Sequence, residues 1–264
     1  DGTLWAWGRN NIGHLGLNST GNPSNDGISS PTQVGTDTTW NKVFGSNGSE
    51  AGGARAMKTD GTSWSWGYNS WGQLGLNQGY SPSTKGFSSP VQLPGTWSKF
   101  TGGGAVLQGI KTDGTLWTCG FGGYGTLGQN DRTNRSSPVQ IPGTWSDAVG
   151  SGSNYVAFGV KTDGTLWSWG YNTYGALGLN EAPSAKRSSP TQVGTGTDWS
   201  EVEKSVGYGG VARKTDNTLW AWGYNNYGQL GLNQVHQSYI SSPTQVPGTW
   251  LTLSAADYQY FSTK

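Results

Sequence analysis

Five near-copies of one unit fill the chain, and this repetition constrains the fold more than any other feature of the sequence. The first block of the unit reads Asp-Gly-Thr-Leu-Trp-Ala-Trp-Gly at residues 1–8. It recurs, with substitutions, from Asp60, Asp113, Asp163 and Asp216, at spacings of 59, 53, 50 and 53 residues. Such a period predicts one supersecondary unit that buries its apolar face against its neighbours.

Three further blocks follow the first in the same order in each copy. They are Gly-Gln-Leu-Gly-Leu-Asn, as at 72–77, then Ser-Ser-Pro, as at 88–90, and then a single tryptophan. The single tryptophans are Trp40, Trp97, Trp145, Trp199 and Trp250. The repeated blocks hold 14 of the 15 tryptophans, so we interpret the tryptophan content as core packing.

Each unit is predicted to contain four short strands. The block Thr-Leu-Trp-Ser-Trp-Gly is aromatic and alternating, as strands are. Asp-Gly joins it to the segment before it, as at 159–162, and Asp-Gly is a strong hairpin signal. A third strand is expected around Ser-Pro-Thr-Gln-Val, and a fourth after the single tryptophan. Four strands in about 50 residues are typical of a β-propeller blade.

The composition excludes several other classes of protein. There are 45 glycines in 264 residues, and only 12% of residues are charged, which argues against a coiled coil or helix bundle. The aromatic content of 12% argues against disorder. No apolar run is long enough to span a membrane. The net charge of +1 indicates no nucleic-acid partner.

The two ends of the sequence are complementary. Lys264 aligns with the lysines that precede Thr-Asp in the other units, and Asp1 supplies the missing Asp. The segments 3–8 and 258–264 therefore each lack a hairpin partner. We predict that they pair and close one propeller domain of five four-stranded blades. The repeats are approximately 1–59, 60–112, 113–162, 163–215 and 216–264. The alternative is an arc of a seven-bladed ring.

These blocks resemble the repeats of the regulator-of-chromosome-condensation family. The shared motifs are Gly-x-Asn-x-x-Gly-x-Leu-Gly, as at 67–75 and 170–178, Ser-Ser-Pro-x-x-Val, and Asp-Gly-x-Leu-x-x-Trp-Gly. The resemblance covers the whole chain and implies four-stranded blades whose ring closes by sharing strands between its ends. Two departures are the five visible copies, against seven in the best-known members, and the missing His of Gly-x-x-His-(Ser/Thr). Function must be argued from the site, because a fold alone does not assign it.

The sequence shows no constellation of catalytic residues. Its two histidines, His14 and His236, fall short of the three or four ligands of a zinc site. Cys119 replaces the second tryptophan of the first block, so we predict a small buried side chain and not a nucleophile. Residues 120–125 match the dinucleotide-binding fingerprint by letters but open no helix. We predict no catalytic residue, metal or cofactor.

Variation between the repeats is concentrated in two segments of each unit. One lies between Leu-Gly-Leu-Asn and Ser-Ser-Pro, and the other between the single tryptophan and Lys-Thr. Variable loops on a rigid scaffold are where recognition is usually placed. The candidate binding residues fall in the first segment: four cations predicted to form a basic patch, Arg132, Arg135, Lys186 and Arg187, together with Tyr80, Phe87, His236 and Tyr239.

These features predict a non-catalytic structural or interaction module that binds a protein partner or a surface glycan. The neutral surface, rich in Gly, Asn, Ser and Thr, is typical of viral fibre and secreted bacterial proteins. We therefore expect an extracellular or virion assembly, with a fibre, decoration or adhesion role and no membrane insertion. The alternative is a soluble intracellular propeller that regulates or inhibits a protein partner.

Overall fold

The computed structural model describes residues 1–20, 27–45, 52–78, 86–150, 155–205, 208–233, 238–256 and 259–263. In these ranges the chain forms β-strands and one short 3-10 turn at Thr173–Gly175. The strands are β1 (Trp5–Arg9), β2 (Gly27–Gln33), β3 (Trp40–Phe44), β4 (Gly53–Lys58), β5 (Ser63–Tyr68), β6 (Gly86–Leu93), β7 (Trp97–Phe100), β8 (Val106–Lys111), β9 (Thr115–Gly120), β10 (Arg135–Gly150), β11 (Val156–Lys161), β12 (Leu166–Tyr171), β13 (Lys186–Gln192), β14 (Trp199–Ser205), β15 (Gly209–Lys214), β16 (Thr218–Tyr224), β17 (Tyr239–Thr249), β18 (Ser254–Ala256) and β19 (Gln259–Phe261). Within the described ranges, no helix is long and apolar enough to cross a membrane.

The chain divides into two compact units. The first unit holds residues 1–113, 117–121 and 134–139, and the second holds 114–116, 122–133 and 140–264. The first unit contains the sheet β3-β4-β5-β6 and the pair β1-β2. The second contains β14-β15-β16-β17 and the hairpin β18-β19, and the later part of β10 begins the order β10-β11-β12-β13.

The four-stranded sheets follow the repeat predicted from the sequence. Strand β3 begins at the single tryptophan Trp40, and β4 and β5 form the antiparallel hairpin around Asp60-Gly61. Strand β6 carries Ser-Ser-Pro, and β14 to β17 repeat the same order. The predicted all-β class and the four-stranded unit are therefore confirmed.

Closure of the ring was predicted from the two ends of the sequence. In the part of the chain that the structure describes, β1 pairs with β2, and β19 pairs with β18. The predicted pairing of 3–8 with 258–264 is not among these strand pairs, and residues 258 and 264 lie outside the described ranges. The number of blades in a complete ring, its closure and the seven-bladed alternative stay predictions.

Packing between successive repeats depends on the second tryptophan of the first block. In the second unit, Trp222 is fully buried and packs edge-on against Phe158 of strand β11 in the preceding blade, with ring centroids 5.4 Å apart. Its indole Nε1 donates a hydrogen bond to the carbonyl of Ala176 at 2.9 Å. A Cβ added at Gly178 would lie 3.0 Å from this Nε1, so only glycine leaves room for the indole. We call such a carbonyl, with the leucine and glycine that follow it, an indole cradle.

The same cradle recurs along the chain. In the first unit, Trp66 Nε1 donates to the carbonyl of His14 at 3.0 Å. In the second unit, Trp169 Nε1 donates to the carbonyl of Thr126, also at 3.0 Å. A buried carbonyl left without a donor costs about 1–3 kcal/mol, so the indole N–H satisfies a real requirement of the packed interface.

One cradle in the first unit is filled differently. Cys119 stands where the other repeats have tryptophan, and its Sγ would lie 3.3 Å from a Cβ at Gly75. The cradle carbonyl of Gln73 accepts a hydrogen bond from Nη2 of Arg55 at 2.8 Å. Arg55 occupies the repeat position of Phe158, and its side chain is buried. A large arginine and a small cysteine thus replace the phenylalanine and tryptophan found in the next unit.

In four of the repeats, the lysine that ends the strand before the Leu-Trp or Ser-Trp strand lies over tryptophan rings. The Nζ-to-centroid distances are 4.1 Å for Lys58 and Trp64, 3.6 Å for Lys111 and Trp117, 3.9 Å for Lys161 and Trp167, and 4.8 Å for Lys214 and Trp220. A cation over a ring face is attracted by the ring quadrupole. These repeated lysines therefore belong to the architecture of the blades.

We predict that Trp222→Phe lowers the free energy of unfolding by about 1–3 kcal/mol, because the Ala176 carbonyl loses its donor and a cavity remains. The measurement is equilibrium urea unfolding at low protein concentration. The matched control is Trp7→Phe, in the same Leu-Trp-Ala-Trp-Gly sequence but 60% exposed, with an expected change below about 0.5 kcal/mol. Equal losses in both variants would contradict the cradle.

A second prediction concerns pH. Lys58 Nζ lies 2.5 Å from Oδ2 of Asp37, and this bond, with bonds from Thr39, lowers the pKa of Asp37 to about 2. The stabilising contribution of the contact is complete above the ordinary aspartate pKa and is lost as the pH falls from about 4 towards 2. In carboxyl ¹³C NMR titrations, Lys58→Met should raise the pKa of Asp37. The pKa of Asp60, lowered mainly by Thr62, should change little and serves as the control.

Candidate interaction surface

In the second unit, variable segments of two successive repeats meet at one end of a blade. Tyr171 ends β12 and pairs with Lys186, which begins β13 directly after the variable loop 181–187. The backbone N–H of Tyr171 donates to the carbonyl of Tyr155 at 2.9 Å, and Tyr155 lies in the other variable segment. Hairpin pairing thus brings two segments that are separate in sequence onto one surface.

Three tyrosines and a lysine form a first tyrosine group at this blade end. The ring of Tyr124 stacks on that of Tyr171, with centroids 5.1 Å apart and planes at 20°, and lies 4.5 Å from the ring of Tyr155. Nζ of Lys186 lies 5.1 Å from the Tyr124 centroid and 5.6 Å from that of Tyr171. Burial raises the pKa of Tyr155, and the Tyr124 phenol raises it further. Tyr155 therefore stays a neutral hydrogen-bonding phenol at physiological pH.

The next blade of the second unit carries a second tyrosine group. The centroid of Tyr174 lies 5.0 Å from that of Tyr224 and 5.5 Å from that of Tyr208. Tyr227 extends the group at 5.9 Å from Tyr224. Tyr174 is 40% exposed and Tyr227 is 74% exposed. This blade end therefore presents aromatic surface with phenolic hydroxyls to solvent.

Three of these tyrosines have left-handed backbone conformations. Their φ values are 57° for Tyr155, 54° for Tyr174 and 62° for Tyr208. A bulky residue is disfavoured in this region by about 1–2 kcal/mol, whereas glycine adopts it freely. The repeat position of Tyr155 and Tyr208 is occupied by Gly52 and Ala105 in the first unit. Tyrosine at a position that glycine fits more easily points to a role for the ring.

The first unit carries an aromatic row at the equivalent repeat positions. The ring of Trp71 lies 5.5 Å from that of Tyr68 and 5.8 Å from that of Phe121. This row contains a single phenol among three rings. Because Phe121 has no polar atom and Trp71 only an indole N–H, this row has less hydrogen-bonding capacity per ring than the two tyrosine groups of the second unit.

Among the candidate residues in the second unit, Lys186 joins the first tyrosine group. Tyr239 pairs in register with Tyr224 of the second group and is 37% exposed. Arg187 is held by Glu181, with Nε 3.3 Å from Oε2 and a second bond from Nη2 to Oε1. Arg132 is exposed in its loop. Arg187 is thus engaged within its own loop and Lys186 with the first tyrosine group, and the basic patch stays a prediction.

The remaining candidate residues lie elsewhere. Arg135 begins β10 in the first unit and is half-buried. Phe87 packs against the cluster of Leu4, Val34, Ala56 and Trp66, so much of its ring serves the core. Tyr80 and His236 lie outside the described residues.

Sequence reasoning missed the tyrosines that form the two groups. They are Tyr124, Tyr155, Tyr171, Tyr174, Tyr208, Tyr224 and Tyr227. Most were assigned to the repeat consensus, because Gly-Tyr-Asn-x-Tyr-Gly recurs in the chain. The available signal was the change from Gly52 and Ala105 to Tyr155 and Tyr208 at one repeat position.

Outside the tyrosine groups, Cys119 and Arg55 are two buried titratable side chains. Cys119 is fully buried, and burial raises the pKa of its thiol to about 12. The neighbouring Arg55 is also buried, which lowers its pKa to about 10. The predicted burial of Cys119 is therefore confirmed, and a thiol with this pKa is a poor nucleophile. Within the ranges described, no group of three or more His, Cys, Asp and Glu side chains is arranged to hold a metal ion.

We predict that Cys119 resists thiol-specific reagents at pH 8 in the native chain. With a pKa of about 12, on the order of one thiol in 10⁴ is ionised at that pH, and the folded chain also blocks access. A colorimetric disulfide reagent should modify less than a tenth of the protein in buffer and one thiol per chain in denaturant. Rapid stoichiometric modification of the native chain would contradict the burial.

Solved structures of known proteins share this fold. Human WBSCR16 matches with a TM-score of 0.75 and 18% identity over 92% of this chain and 61% of its own. Prp20p of Saccharomyces cerevisiae matches with a TM-score of 0.76 and 14% identity over 98% of this chain and 63% of its own. The same yeast protein bound to Kap60 gives a TM-score of 0.72. The chain thus spans about three fifths of the length of these structures.

The sequence also matches a family model. The model of the regulator of chromosome condensation (RCC1) repeat matches residues 1–48, 113–158, 163–207 and 216–253, more than half of the chain. The segment from Asp60, between the first two matches, carries the same blocks in the same order. The sequence blocks, the four-stranded units and the structural similarity agree. The chain is a β-propeller protein that belongs to the RCC1 repeat family.

Proposed function

We propose that this chain is a non-catalytic interaction module that binds a protein partner through the two tyrosine groups of its second unit. The observation that carries the proposal is the concentration of tyrosine rings where the variable segments meet. Tyrosine supplies a large contact area at low entropic cost, and its hydroxyl satisfies polar groups of a partner. Tyrosine is also enriched among the residues that dominate binding energy at protein interfaces.

The partner is expected to present apolar and acidic groups together. Exposed Tyr174 and Tyr227 offer apolar ring faces, and Lys186 adds a cation beside the first group. Arg132 and Arg187 of the same unit belong to the predicted basic patch, whereas Arg135 lies in the first unit. An acidic side chain next to an aromatic or aliphatic anchor would complement such a surface.

We keep two hypotheses about the biological context in which the module binds its partner. The extracellular or virion assembly rests on the neutral, Gly- and Asn-rich composition. The intracellular regulatory role is supported by analogy with yeast Prp20p, whose structure was described with its binding to Gsp1p and histones and was also solved with Kap60. Both settings require a protein-binding face.

The test compares the proteins that bind to the immobilised full chain with those that bind to the double variant Tyr174→Ser/Tyr227→Ser. Proteins from the source organism are captured on each and quantified by mass spectrometry, and the affinity of the main partner is then measured with purified proteins. We expect at least about tenfold weaker binding by the double variant, because two exposed aromatic anchors are lost. Tyr208→Gly should also weaken binding while keeping the left-handed backbone.

The control variant removes a similar exposed apolar area outside the two tyrosine groups. Val43 and Leu251 are 60% and 58% exposed and lie outside the tyrosine groups, so Val43→Ser/Leu251→Ser should bind normally. Equal binding by all variants would refute the tyrosine face as the binding site. Binding of the wild-type chain to a glycan array, lost in the tyrosine variant, would instead support a glycan ligand.

A further inference from the structure

The loop before the single tryptophan of each repeat occurs in two lengths. Three repeats have Pro-Gly-Thr, at 94–96, 142–144 and 247–249, whereas two have five residues, at 35–39 and 194–198. Each longer loop contains an aspartate that forms an ion pair with the repeated lysine. Nζ of Lys58 is 2.5 Å from Oδ2 of Asp37, and Nζ of Lys214 is 3.2 Å from Oδ1 of Asp198. Loop length therefore changes the surroundings of this lysine.

The longer loop at 35–39 also leaves space that the shorter loops fill. In two short loops, a Cβ added at Gly95 or Gly143 would lie 3.2 or 3.1 Å from Cε of the repeated lysine. Within the described ranges, a Cβ added at Gly35 would have no heavy atom within 4 Å. Trp97, which follows a short loop, is 1% exposed, whereas Trp40 is half-buried. The loop at 35–39 thus leaves its tryptophan less covered.

A cavity of about 570 Å³ lies beside this longer loop. Its walls include the indole rings of Trp40 and Trp64, which meet edge-on with centroids 6.1 Å apart, together with Asp37 and Lys58. All of the lining residues belong to the first unit. Sites for small molecules usually have volumes of about 300–1,000 Å³ and apolar walls with a few polar groups. The cavity therefore has the size and the lining of a small-molecule site.

The charges at this cavity favour a neutral ligand. Nζ of Lys58 lies 4.1 Å from the ring centroid of Trp64 and 4.9 Å from that of Trp40. It occupies the place over the rings that a bound cation would take, so a second cation would be repelled. The carboxylate of Asp37 neutralises this lysine and would repel an anion.

Polar groups at the cavity have hydrogen-bonding capacity to spare. Oδ1 of Asn18 accepts a bond from Oγ of Ser89 at 3.0 Å, and its Nδ2 has no partner among the residues that the structure describes. The side-chain amide of Gln33 likewise has no partner in the described ranges. A purely apolar ligand would leave such groups buried without bonds, which is costly. A matching ligand has an apolar face for the indole rings and hydroxyls for the amides.

We propose that this cavity binds a neutral sugar ring of a glycan. The pyranose form has a face of C–H groups, which lies against the walls formed by Trp40 and Trp64. Its hydroxyls both donate and accept, so they bond to the amides of Gln33 and Asn18 at the rim. The site shares no residue with the two tyrosine groups of the second unit.

NMR titration of the ¹⁵N-labelled full chain with neutral monosaccharides tests this site. The panel is glucose, galactose, mannose, fucose and N-acetylglucosamine. We expect at least one sugar to shift the indole Nε1–H signals of Trp40 and Trp64, with a dissociation constant on the order of 1 mM. Trp199 and Trp220, the matching pair beside the other long loop, serve as the internal reference. They should shift little, because a Cβ at Gly196 would lie 3.1 Å from Nε1 of Trp199, so that loop covers its indole.

A loop replacement supplies the decisive variant. Replacing residues 35–39 with Pro-Gly-Thr, the sequence of 94–96, closes the cavity with a loop that the chain already uses. It should raise the dissociation constant by at least about tenfold, because the ligand loses its space beside the rings. The matched control is the same replacement at 194–198, which should bind sugar like the wild-type chain. Gln33→Ala, a milder change, should weaken binding about fivefold by removing one hydrogen bond. Urea unfolding curves verify that each variant folds.

Four results would overturn the proposal. They are the absence of shifts at Trp40 and Trp64 with every sugar, equal shifts at the reference pair, sugar binding that survives both the replacement at 35–39 and Gln33→Ala, and shifts produced by tetramethylammonium or acetate but by none of the sugars. The last result would assign the cavity to an ion. Tyr174→Ser/Tyr227→Ser should leave sugar binding unchanged, so this site and the protein-binding face are tested independently.

Discussion

The hydrogen bond from a tryptophan indole to a cradle carbonyl of the preceding repeat is the interaction on which the blades depend. It joins burial of a large aromatic ring with satisfaction of a backbone carbonyl that a packed interface cuts off from water. Glycine at the end of the cradle is required for two reasons. The backbone there is left-handed, and the indole occupies the space of a side chain. The tandem sequence repeats this one interface.

Much of this architecture could be predicted from the sequence. The Asp-Gly hairpins, the alternating tryptophan blocks and the regular spacing indicated four-stranded units, because their local chemistry acts over a few residues. Which carbonyl receives each indole depends on contacts between repeats about 50 residues apart, as for Trp66 and His14. Periodicity alone does not encode such partners, and it did not reveal that Arg55 would serve the Gln73 carbonyl.

The binding surface was harder to predict for a related reason. Sequence reasoning separated consensus positions from variable loops and placed recognition in the loops. The structure places consensus tyrosines, such as Tyr171, beside variable ones, such as Tyr155, so recognition and architecture share residues. Lys186 was anticipated from its loop, but its placement over two tyrosine rings arises only when β12 and β13 pair.

The pairing of Arg55 with Cys119 means that the repeats are not interchangeable parts. A blade carrying cysteine in place of the docking tryptophan fits only behind a blade whose arginine supplies the missing donor and volume. If the cysteine-bearing blade followed the blade that carries Phe158, their interface would contain a void and a carbonyl without a donor. A blade with tryptophan placed behind Arg55 would meet an occupied cradle. Shape and hydrogen bonding at this interface therefore determine which blade can follow the one that carries Arg55.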